Sequence, residues 1–190
     1  MRILTLDQAT RTGWAFGVER SDERWLFGSF RMPKRDDPGE RLMIFRDGLV
    51  EVIEKYHPDI VAYETPFMPV GNTSEKAKDG KKGAVFNVKT TKFSMNLEGV
   101  LIECTARYGL PTEHFPSSSW RVTALGFGRL PPGAPDGEFK KLMKQRAKAL
   151  GYPVADDNEA DAIGMLMHML HGKPAAERAQ GDLLGRVAGL

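Results

Sequence analysis

The sequence holds one cysteine in 190 residues, four histidines, and no apolar run long enough to cross a bilayer. Each shortage closes off a class of protein. A lone thiol builds no internal disulfide framework and fits a reducing compartment. Cys104 lies inside an apolar helical pattern and reads as a small buried hydrophobe. His57, His114, His168 and His171 show no zinc-binding spacing. The last two read as surface or packing residues. The opening RILTLD is too short for the apolar part of a signal peptide, so a cytoplasmic location is expected. A dominant charge sign is missing too. The 27 Lys and Arg nearly balance 25 Asp and Glu, and a net charge of +2 argues neither for nor against nucleic acid.

What is present suits one domain with a substantial core, since 41% of residues are hydrophobic and 27% charged. That domain is expected to span 1–172, with 173–190 a C-terminal tail of no strong pattern. The basic residues are unevenly placed. Lys76, Lys78, Lys81, Lys82, Lys89 and Lys92 crowd one region, and Arg121, Arg129, Lys140, Lys141, Lys144, Arg146 and Lys148 another. Such runs are commonly solvated faces, and they are also the electrostatic footprint of phosphate binding.

Periodicity divides the chain into elements. Arg2 to Asp7 reads as a buried strand ending in a carboxylate, and Gly13 to Val18 and Trp25 to Arg31 continue it as a meander. From Pro38 to Tyr56 apolar residues recur at three- and four-residue spacings, which predicts a helix packed on the sheet. Asp59 to Glu64 (DIVAYE) is a second buried strand ending in an acid, after which Pro66 and Pro69 force a loop. Gly71 to Gly83 reads as an insertion rich in Gly, Lys and Ser. A long helix is expected from about Val85 to Tyr108, a short strand over Thr112 to Phe115, and a helix from Ser117. Beyond the loop LPPGAPDG, Phe139, Leu142, Met143 and Leu150 form the apolar side of a helix whose other side is basic.

The last helix opens with the stretch of greatest interest, DNEADAIG, residues 157–164. A helix start needs one cap, and Asp156 or Asp157 supplies it. Asp161 lies one turn further in and shares a face with Asp157 and Asn158. Grouped carboxylates repel unless a cation or proton lies between them. Asp7 and Glu64 each end an apolar strand, and sites in open α/β sheets gather outside the carboxyl ends of strands. If those strands are neighbours and the last helix packs beside them, the acids converge. An all-oxygen set favours Mg²⁺ or Mn²⁺ over zinc.

The order strand, strand, strand, helix, strand, helix, strand, helix resembles the ribonuclease H-like fold, an α/β arrangement with a mixed five-stranded sheet flanked by helices. More closely, RILTLDQATRTGWAFG, ERLMIFRDGLVEVIEKYHPDIVAYETPF and DNEADAIGMLMHML resemble, in that order, the active-site segments of RuvC-type Holliday junction resolvases. The resemblance implies a metal-dependent endonuclease that cuts four-way junctions by paired symmetric nicks. Its source would be a bacterium or a phage. Asp7, Glu64 and Asp161 match three of the family's four acids, which hold two Mg²⁺ ions, with Mn²⁺ a substitute. Asn158 stands at the fourth position, where its amide oxygen can bind a cation without bringing charge; either Asp157 beside it turns inward to supply the missing charge, or the site works with one fewer. Asp7-Gln8-Ala9 also departs from the usual Asp-Pro-Gly of the first turn.

Further roles follow from the same resemblance. Phe67, three positions after Glu64, matches an aromatic wedge at the junction core, and its other reading is a packing residue over the sheet end. Arg121, Lys140, Lys141 and Lys144 fall near the basic residues that contact the scissile strand, or else form a solvated face. The helix around 85–108 resembles the dimerisation segment, so a homodimer bound to branched DNA is expected. Other readings stay open: a broader nuclease for forks and flaps, or a junction-binding protein without catalysis. An actin-like ATPase is disfavoured, because the chain has room for only one of the two domains that fold needs.

Overall fold

The computed structural model describes residues 1–33, 37–66 and 88–172. The elements in order are β1 (Arg2–Asp7), β2 (Arg11–Val18), β3 (Leu26–Arg31), α1 (Pro38–Tyr56), β4 (Ile60–Glu64), α2 (Val88–Arg107), β5 (Thr112–Phe115), α3 (Ser117–Leu125), α4 (Glu138–Ala149) and α5 (Asp157–Met167). A π-helical turn, His168–Gly172, ends the described chain and was not foreseen from the sequence. Strand β2 starts at Arg11 rather than Gly13, because Arg11 and Thr12 pair with Arg31 and Phe30 of β3. Phe67, Lys76, Lys78, Lys81, Lys82 and the expected helix start at 85–87 lie outside the described residues.

The sheet order is β3-β2-β1-β4-β5. Strands β1, β2 and β3 form the expected antiparallel meander, while β1 pairs with β4, and β4 with β5, in parallel. The β1–β4 register sets Leu6 beside Tyr63, so Asp7 and Glu64 follow at the carboxyl ends of neighbouring strands.

Side chains along a strand alternate between faces, and here the alternation decides where the acids point. Leu4, Leu6, Val61 and Tyr63 enter one core with Phe45, Leu49, Val52 and Ile53 of α1 and Leu97, Leu101 and Cys104 of α2. Ile3 and Ala62 enter the other, with Trp120 of α3, Met143 and Ala147 of α4 and Ala160, Ala162 and Ile163 of α5. Asp7 has the parity of Ile3, and Glu64 that of Ala62. Both therefore belong to the face that α5 covers.

Helix α5 lies flush against the strands. Thr5, fully buried, donates its hydroxyl to the Ala162 carbonyl at 2.8 Å. Gly13 of β2 meets the main chain of Asn158, where a Cβ would lie 2.1 Å from the carbonyl oxygen. That approach is open only to glycine. Asp156 caps the helix by accepting from the Glu159 amide at 2.9 Å, and its carboxylate pairs with Arg11 at 2.5 Å. Glu159 turns back to accept from the Ala155 amide and the Ser29 hydroxyl, each at 2.8 Å.

Gly13→Ala is expected to push α5 off β2 and lower stability by about 1–3 kcal/mol or more, the usual range for overpacking. Urea unfolding followed by circular dichroism measures it, and an unchanged midpoint would contradict the close seating.

Candidate active site

Four acids from three elements meet where β1 and β4 end beneath the first turn of α5. Asp7 feels the charges of Asp161, Glu64 and Asp157, and Asp161 those of Glu64 and Asp157. Helical spacing places Asp157 and Asp161 on one face of α5, over the strand ends. Asn158, one residue on, is turned aside: its amide nitrogen donates to the Arg11 carbonyl of β2. That bond tethers α5 to β2, and Asp157 lies close enough to raise Asp7.

Protonation follows from crowding and burial. Burial first, and then the three neighbouring acids, hold the Asp7 carboxyl well above the usual range, against Lys140. Burial pushes Asp161 up to about 7; Arg121 opposes it, while Glu64 and Asp157 add to it. Burial also raises Glu64, against its bond from Trp120 and the charge of Arg121. Asp157 goes the other way, lowered chiefly by its 2.5 Å bond to the Lys140 ammonium.

Two partners of Glu64 were missed in the sequence. The indole of Trp120, fully buried, donates to Glu64 Oε2 at 2.9 Å. Gln8 donates from Nε2 to the Glu64 main-chain oxygen at 2.8 Å and so ties the end of β1 to that of β4. A buried indole N–H needs an acceptor. The sequence carries that need but not the identity of a partner 56 residues away.

The expected basic residues divide. Arg121 stays close enough to Glu64 and Asp161 to bias both, and its guanidinium packs on the rings of Trp120 and Phe139 at 5.0 and 4.4 Å from their centroids. Lys140 is held on Asp157. Lys141 is exposed and pairs with Glu138 at 3.7 Å, while exposed Lys144 lies near enough to lower Asp157.

The donor set fits a hard divalent cation, because it is all oxygen and its members repel one another when charged. Gln8 Oε1, at the turn after Asp7, is buried without a hydrogen-bond partner among the described residues. The acids are gathered rather than closed into a finished shell: among the described residues no three Asp, Glu, His or Cys side chains are already arranged to hold an ion.

Known proteins resemble the chain in sequence and in fold. The crossover junction endodeoxyribonuclease RuvC of Ruegeria pomeroyi is 32% identical over 130 residues, 67% of this chain and 69% of that protein. The chain belongs to the RuvC family. The RuvC of Cupriavidus taiwanensis matches along all of the chain and 90% of its own length at 26% identity. Among solved structures, that of Thermus thermophilus RuvC superposes with a TM-score of 0.61 at 16% identity, covering 90% of this chain and 95% of that one. The T. thermophilus protein in complex with a Holliday junction substrate gives the same score over 94% of its length. No protein-family model matches the sequence. The RuvC likeness thus covers the sheet and helices that carry Asp7, Glu64, Asp157 and Asp161. No helix of the described residues is long and apolar enough to cross a membrane.

The raised acids make a pH prediction for the metal-free protein. A carboxyl raised on folding stabilises the fold fully below its unfolded pKa, near 4, and loses that contribution as pH rises through its folded value, about 7 for Asp161. Wild-type Tm in EDTA should therefore fall between about pH 4 and pH 7 more steeply than that of Asp161→Asn. Equal slopes would show that Asp161 bears no such load.

Proposed function

We propose that the chain is a divalent-cation-dependent endodeoxyribonuclease that resolves four-way DNA junctions as a homodimer by paired nicks. The observation that carries the reading is the meeting of Asp7 and Glu64, at the ends of adjacent parallel strands, with Asp157 and Asp161 of α5. The RuvC relationship supports it.

In this reading Asp7, Glu64, Asp157 and Asp161 hold two Mg²⁺ ions, or Mn²⁺ in their place. When bound, such ions activate water and stabilise the leaving oxygen of a phosphodiester. The chain's own side chains do the rest. Trp120 fixes the Glu64 carboxylate through Oε2, and Gln8 fixes its main chain. Arg121 holds the phosphate between the acids and the rings that support it. Lys140, Lys141 and Lys144 line the strand's approach and contribute affinity that weakens with salt. Phe67, just beyond β4, keeps the role of wedge at the junction core.

The dimer reading rests on the outer face of α2. Val88, Met95 and Ile102 recur every seventh residue and are 62%, 45% and 47% exposed. Lys92, Gly99 and Ala106 interleave at the same period, and a Cβ at Gly99 would meet nothing within 4 Å. Spacings of three and four line these positions up as one stripe of α2, with small residues between the apolar ones, that has no apolar partner among the described residues. A two-fold pair along it would present two acidic sites to one junction, as paired nicking requires.

One set of assays tests the reading. Labelled four-way junction, fork, flap and linear duplex are incubated with wild type, Asp7→Asn and Ile102→Asp in Mg²⁺ or Mn²⁺. Wild type should nick the junction in pairs, and Asp7→Asn should lose on the order of a thousandfold in rate with binding kept. Ile102→Asp should sediment as a monomer and lose pairing of the nicks. Preferential cutting of forks or flaps would shift the substrate, and no cutting of any branched DNA would overturn the reading.

A further inference from the structure

Two aromatic rings next to the acidic site belong to neither core. Phe127, in the loop after α3, is 38% exposed and stacks on Phe139 of α4, their centroids 6.0 Å apart and their planes 30° from parallel. Neither packs into the apolar cluster on α5 or into the one beneath α1 and α2. Their connection is to the site. The Arg121 guanidinium lies over the rings of both Phe139 and Trp120, and Trp120 bonds Glu64. Lys140, next to Phe139 in the first turn of α4, bonds Asp157.

The chain path holds Phe127 in place from both sides. Gly126 closes α3 in the left-handed region at φ 87°, its amide bonded to the Val122 carbonyl. Gly128 comes so close to α3 that a Cβ there would lie 2.6 Å from the Ser118 carbonyl oxygen. The sequence Gly-Phe-Gly thus spends two glycines on presenting one exposed ring. The Arg121 Nε is buried with no hydrogen-bond partner among the described residues, and basic Arg129, two residues past Phe127, and Lys140 and Lys144, on the helix of Phe139, are exposed. A protein or lipid partner would explain the apolar rings but not their link through Arg121 to the acids. A nucleotide explains both, because its base offers a π face and its phosphate a negative charge.

We propose that Phe127 and Phe139, backed by Arg121, form a stacking platform for an unpaired nucleobase next to the phosphate held at the acidic site. This rests on the nuclease reading above. The platform fixes which phosphate reaches the acids, so Phe127 is a positioning and specificity residue for cleavage.

The test uses the full chain and a four-way junction carrying 5-iodouracil, scanned one nucleotide at a time across the wild-type nick sites and irradiated without divalent cation. A crosslink to the peptide containing Phe127 or Phe139 should form from one nucleotide beside the nick. Phe127→Leu should lose that crosslink, bind the junction about tenfold more weakly and scatter its nicks over neighbouring phosphates, with an unchanged melting temperature. Phe127→Trp should restore binding and nick position. If wild type binds and nicks normally while no position crosslinks to either phenylalanine, or if Phe127→Leu binds and cuts as wild type does, the platform is overturned and the nuclease reading stands. Wild type that neither binds nor cuts branched DNA overturns both.

Discussion

Everything at the site depends on how closely α5 lies against β1 and β2. Asp157 and Asp161 reach the strand ends only because Gly13 leaves room for the Asn158 main chain and Thr5 takes up the Ala162 carbonyl. The same seating fixes the helix's rotation. Asp156 caps and pairs with Arg11, Asn158 holds the Arg11 carbonyl, and Glu159 holds Ser29 and Ala155. These contacts occupy the neighbouring polar residues, while Asp161 is largely buried and Asp157, held on Lys140, stays close enough to raise Asp7. Trp120 then packs on the buried side of α5 beside Gly164 with its indole on Glu64.

The cost of this arrangement is electrostatic. Burial raises three carboxyls, neighbouring acids add to it at Asp7 and Asp161, and the fold relieves them only in part, through Trp120, Arg121 and Lys140. A site that holds like charges together in a poorly solvated place is stable as built only when protons or cations join it. The two positive side chains serve twice in the proposed reading: they moderate the acids when the site is free, and they hold the substrate phosphate when it is filled.

Much of this was legible in the sequence, and the limits have physical causes. Asp7 and Glu64 could be singled out because each ends an apolar strand, and strand parity later set both on the α5 face. Asp161 was legible because a cap does not explain an acid one turn into a helix. The Asn158 bond to the Arg11 carbonyl was not, since adjacent helix positions differ by about 100° and the close seating of α5 depends on the distant Gly13. Trp120 and Gln8 escaped for a related reason: their contacts with Glu64 join elements far apart in sequence. The basic side expected of α4 is exposed at Lys141 and Lys144, and the pairing of Lys140 with Asp157 needed the packing of α4 on α5.

The central claim is that the acids beneath α5 form a cation site completed by Asp157 and Asp161. Calorimetric titration of Mn²⁺ into the full chain at neutral pH tests it most directly. The account predicts saturable binding to wild type that Asp161→Asn and Asp157→Asn each weaken by about tenfold or more, as loss of one anionic oxygen ligand should. Binding of unchanged strength in both variants, or no binding to wild type, would contradict it.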